Sequence, residues 1–116
     1  MNKLSPEEFA RLLKELDNSS VNTLISKNKL YSADGDCLHN FRIGGDISGL
    51  TPAQTCWGYL TKHLASLRDI VFTNDFTDGD ILLEKCQDAI NYIRFLYCIG
   101  MNEHNVFMKG ENDNEN

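Results

Sequence analysis

Residues 80–99 are apolar at helical spacing on two sides at once, and a helix of that kind has to be buried twice. One stripe, Leu82, Cys86, Ala89, Ile93, Leu96 and Tyr97, recurs every three or four residues and predicts a face packed on a core. The other side mixes Glu84, Asp88 and Asn91 with Tyr92, Phe95 and Ile99. Three large apolar side chains do not belong on a solvated face, and an acid and an amide buried among them need polar partners. The expectation is a homo-oligomer whose interface is Tyr92, Phe95 and Ile99, with a ligand or a partner meeting the polar groups between them.

Start and stop signals place the remaining elements. Ser5, Pro6 and Glu8 make a capping box with proline in the first turn, and Phe9, Leu12, Leu13 and Leu16 give that helix its apolar face. The polar run 17–20 predicts its end, and a second short helix is expected over 21–29 with Val21, Leu24 and Ile25 inward. A loop follows over 31–35. Asp36 is the expected cap of a short helix over 37–43, which Gly44 and Gly45 terminate. Thr51, Pro52 and Gln54 open a strong helix reaching about Phe72, the loop 73–79 ends in a cap formed by Thr77 with Asp80, and Gly100 closes the last helix. No strand and no repeat is recognisable. The fold class is therefore all-α, a small bundle of about four helices with short extra helical turns, formed by one domain over 1–100 with a polar, disordered tail over 101–116.

Composition narrows the functional classes. A net charge of −6 over 116 residues is wrong for direct nucleic-acid binding, which requires a basic face to displace counterions. No run approaches the roughly 20 apolar residues of a membrane span, and the opening Met1-Asn2-Lys3-Leu4 does not begin a secretory signal, so the expected location is cytoplasmic, the host cytoplasm if the chain is phage-encoded. The four cysteines have no Cys-x-x-Cys spacing and read as buried free thiols in a reducing compartment.

Two segments carry groups capable of recognition. The helix from Thr51 sets Cys56, Trp57, Tyr59, Leu60, Leu64, Leu67, Ile70 and Val71 in one arc with His63 among them and Lys62 roughly opposite. A histidine on an apolar face is either a satisfied core residue or a ligand contact. In the segment 36–42, Cys37, Leu38 and Phe41 anchor while His39, Asn40 and Arg42 point elsewhere; an arginine fork suits a phosphate, and an asparagine suits a base edge. Glu84 and Asp88, four apart on one face, want a cation between them, either a basic side chain or magnesium. No P-loop and no nucleophile–base spacing is present, so no catalytic residue, metal ligand or cofactor is assigned.

Asn40-Phe41, Lys62-His63 and Asp88-x-x-Asn91-Tyr92 ahead of Leu96 resemble the nucleotide-modification-associated domain family, small helical proteins of phages and bacteria, over residues 31–100. The resemblance implies a nucleotide-sized ligand near Asn40, Lys62, His63, Asp88, Asn91 and Tyr92. Adding Arg42 for phosphate, the leading expectation is non-catalytic binding or sequestration of a nucleotide or nucleotide-derived signal. Two alternatives differ in class. An acidic protein–protein inhibitor would occupy the basic groove of a host defence protein, such as a nuclease. A magnesium-dependent nucleoside triphosphate pyrophosphohydrolase of the MazG type would need a Glu-Glu-x-x-Glu helix where this chain has Lys62-His63, a departure that counts against hydrolysis.

Overall fold

A computed structural model of the chain describes residues 2–31 and 35–115; residues 32–34 of the expected loop lie outside the described residues. It is all-α. Four helices follow in order: α1 (Pro6–Tyr31), α2 (His39–Ser48), α3 (Pro52–Thr73) and α4 (Gly79–Glu115), with no strand among the described residues. No helix among them is long and apolar enough to cross a membrane.

The capping residues behave as their chemistry dictates. The Ser5 hydroxyl accepts the Glu8 amide (3.1 Å), and α3 opens on a complete capping box between Thr51 and Gln54. The last cap differs from expectation. It is Asp78, whose carboxylate accepts the amides of Asp80 and Ile81, while Thr77 turns back to bond Asp75.

Three expected helix ends are not ends. The run 17–20 does not break α1, because its hydroxyls are spent on α4 instead of on a cap: Ser19 donates to Gln87 (2.7 Å) and Ser20 accepts from Arg94 (2.7 Å). Gly44 and Gly45 lie inside α2, and the left-handed cap is Gly49 (φ 70°). The paired glycines serve close approach: a methyl group on Gly45 would lie 2.5 Å from the Leu50 carbonyl oxygen, and one on Gly44 would press on Thr55 and the Tyr59 hydroxyl. Gly100, third, is passed without interruption, and α4 runs on to Glu115. A glycine costs a helix only about 1 kcal/mol unless the chain needs a left-handed residue there.

Helices α3 and α4 are antiparallel, since Cys56 meets Tyr92 while His63, two turns on, meets Asp88 one turn back. Helix α1 is joined to α4 by a polar seam: Thr23 and Ser19 bond Gln87, the Ser20 carbonyl accepts the Asn91 amide (3.0 Å), and Arg94 bonds Ser20 and Asn91. Among the described residues no buried side-chain polar atom lacks a partner.

The core is small and its phase on α4 is shifted from expectation: Ala89 and Leu96 of the expected stripe are packed inside, but the centre lies on the other stripe. Leu38, Phe41, Cys56 and Ile99 form its centre, with Tyr92, Phe95, Leu96 and Ala53 packed against it. Ile99 is 1% exposed, so it and its neighbours Tyr92 and Phe95 belong to the interior of one chain and are not an oligomer interface. Conversely, Ile93 (53% exposed) and Tyr97 (68%), expected in the core, face outward. Periodicity marks both stripes as apolar; which one packs inside is decided by Phe41, whose ring meets Tyr92 and Phe95. Of the four cysteines only Cys56 is fully buried; Cys37 and Cys98 are exposed. Burial pushes the Cys56 thiol up to about 11, and it donates to the Tyr92 carbonyl.

Candidate functional site

The four helices leave a groove of about 670 Å³ with one wall from each. Helix α1 supplies Thr23, Leu24, Lys27 and Asn28, and the α2 region supplies Cys37, His39, Asn40, Phe41 and Ile43. Tyr59 and His63 come from α3, and Asp88, Asn91, Tyr92 and Phe95 from α4. Its floor is aromatic. Phe41 packs on Tyr59, Tyr92 and Phe95 with ring centroids 4.9–6.4 Å apart. The His63 imidazole lies nearly parallel to Tyr92, centroids 4.8 Å apart and planes at 21°. Face-to-face offset packing of this kind leaves a flat, polarisable surface beside the polar rim.

Asp88 and His63 define the polar end. Asp88 Oδ2 is 3.7 Å from His63 Nδ1, an ion-pair separation too long for a hydrogen bond, and both side chains keep about a quarter of their surface exposed. The pair thus retains hydrogen-bonding capacity directed at the groove. Burial, and then the Asp88 carboxylate, raise the Tyr92 phenol above its ordinary value, which keeps it neutral and able to donate.

Of the residues expected at a site, the fold brings together Asn40, His63, Asp88, Asn91 and Tyr92, which are up to half the chain apart in sequence. Asn91 is committed to structure as well: its amide nitrogen donates to the Ser20 carbonyl and its oxygen accepts from Arg94. Arg42 does not line the groove; it is tied to Asp36 at 2.8 Å, and the Leu38 amide first, then Arg42, hold the Asp36 carboxyl below its usual range. Lys62 is exposed and also lies off the groove, one position around α3 from His63.

Sequence reasoning missed Lys27, the groove's basic residue on α1: it shares a face with Leu24 and Asn28 of the expected helix over 21–29, but nothing local sets it apart from a solvated lysine. Glu84 is exposed while Asp88 turns to His63, so the two carboxylates do not converge. Among the described residues no group of three or more His, Cys, Asp or Glu side chains could hold a metal ion. Comparison with protein-family models, with curated proteins and with solved structures returns no match.

Proposed function

We propose that the groove binds a nucleotide or a nucleotide-derived small molecule and holds it without turning it over. The observation that carries this reading is the His63–Tyr92 stack beside Asp88, inside a cavity of about 670 Å³. That volume lies within the range of roughly 300–1,000 Å³ usual for small-ligand sites. The chemistry divides along the groove. Tyr59, Tyr92 and His63 offer ring faces for a base, Asp88 accepts from an exocyclic amine, and Asn40 can both donate and accept at a base edge. At the opposite wall Lys27 and His39 supply donors for phosphate, the role that Arg42 and Lys62 were expected to fill. Binding without hydrolysis is supported by the separation of Glu84 from Asp88 and by the pairing of Asp88 with an imidazole. A phage-type chain with this chemistry would act by sequestering a host nucleotide signal.

The test is thermal shift and titration calorimetry against nucleoside mono-, di- and triphosphates and cyclic nucleotides. A ligand should stabilise the wild type, and Lys27→Gln or His63→Gln should weaken its binding roughly ten- to a hundredfold, the loss of one charge-assisted contact. A panel in which no nucleotide shifts the wild type refutes the reading, and magnesium-dependent release of pyrophosphate replaces binding with hydrolysis.

A further inference from the structure

The single chain does not cover its own apolar surface. Its accessible surface is 8762 Å², against about 6,400 Å² for a compact monomer of this mass. Part of that excess, and of the radius of gyration of 17.9 Å, belongs to the end of α4, which is exposed throughout over residues 101–111. Helices α1 and α2 both cover one side of the α3–α4 pair: α2 meets α3 through Gly44 against Thr55 and Tyr59, and α1 meets α4 through Gln87, Asn91 and Arg94. By helical phase the opposite side of the antiparallel pair carries Leu82, Cys86, Ile90, Ile93 and Tyr97 of α4, of which Ile93 and Tyr97 are 53% and 68% exposed. Between residues 82 and 101 no charged side chain falls in that sector. On α3 the same side carries Trp57, Leu64 and Val71, repeating every seven residues and 42–55% exposed.

We infer that this bare face of α3 and α4 is the contact surface of a homodimer. A second copy is the occupant that fits. The face is two helices wide, roughly 20 Å, and about 28 Å long from Leu82 to Met101, a footprint of the order of the roughly 800 Å² that each partner contributes to a stable interface. The α4 side of this face carries no charge between residues 82 and 101, and the α3 side carries Arg68 between Leu64 and Val71 but no acid, so on a chain of net charge −6 it is where two copies meet without opposing their acids. Stacked about a two-fold axis, two α3–α4 pairs make a four-helix core, with α1, α2 and both grooves on the outside. The assignment is independent of what the groove binds.

Trp57 is the chain's single tryptophan, so its fluorescence reports this face alone. Light scattering of the wild type at micromolar concentration should give twice the 13.2 kDa chain mass. Acrylamide should quench native Trp57 severalfold less than the urea-unfolded chain. Ile93→Asp should give a helical monomer whose Trp57 emission is red-shifted and freely quenched. A monomeric wild type overturns the dimer. A wild-type dimer with Trp57 quenched as freely as in urea, or an Ile93→Asp protein that stays dimeric, overturns this face as its interface.

Discussion

Replacing a helical glycine with alanine should have opposite signs at two positions in this fold. At Gly58, exposed in the middle of α3, an added methyl meets nothing within 4 Å, so the gain in helix propensity stands alone, about 0.5–1 kcal/mol of stabilisation. At Gly45 the same gain is opposed by a methyl 2.5 Å from the Leu50 carbonyl oxygen and 3.3 Å from Thr55 Oγ1. That oxygen belongs to backbone, and the Leu50 amide is itself bonded to the Gly45 carbonyl at 2.9 Å, so no rotamer change relieves the clash. Overpacking costs about 1–3 kcal/mol, and an obstacle of this rigidity belongs at the upper end, leaving a net loss near 2 kcal/mol after the propensity gain. For a domain of this size each kcal/mol moves the melting temperature by about 3–6 °C. Urea and thermal melts of Gly45→Ala and Gly58→Ala, at one protein concentration, should therefore fall on opposite sides of the wild type. A Gly45→Ala protein as stable as the wild type would show that the α2–α3 corner is not built on close backbone approach.

Asn91→Ala should cost about 1–3 kcal/mol by leaving the Ser20 carbonyl and the Arg94 guanidinium short of a buried partner, and hydrogen exchange should rise in α1 while α3 keeps its protection. Stability should also fall in alkali: the Cys56 thiol, held at about 11 when folded against about 9 when free, contributes fully below pH 9 and loses about 2–3 kcal/mol as pH rises through 11. Tyr92 acts in the same direction, and a urea midpoint unchanged between those limits would place Cys56 in contact with water.

The parts of the fold that were legible in the sequence are those set by local chemistry. Thr51, Pro52 and Gln54 specify the start of α3 through bonds made within four residues, and no distant element can alter that geometry. Where a residue has both a local and a distant use, the sequence does not rank them. Ser19 and Ser20 are good helix caps that here bond α4, and Gly44 and Gly45 are good helix ends that here admit α3 and the Leu50 carbonyl. The same ambiguity shifted the core face of α4, where two apolar stripes compete and the aromatic ring of Phe41 draws in Tyr92 and Phe95 while Ile93 and Tyr97 stay exposed. At the candidate site, His63, Asp88 and Tyr92 were identifiable because each is a polar or amphipathic group on an apolar stripe. Lys27 was not, because a lysine on an amphipathic helix looks like any solvated lysine until the elements it faces across the groove are known.

The seam between α1 and α4 has a kinetic consequence. Ser20 is the one fully buried side chain described on α1, and the bonds that hold the helix in place run between hydroxyls, amides and a guanidinium that water satisfies almost as well. Such a joint fixes register sharply but resists separation weakly, since little apolar surface is exposed when it parts. Helix α1 is thus the cheapest wall of the groove to swing away. Anything entering between Lys27 and Asp88 can do so by exchanging a handful of hydrogen bonds with solvent while the aromatic floor beneath stays assembled.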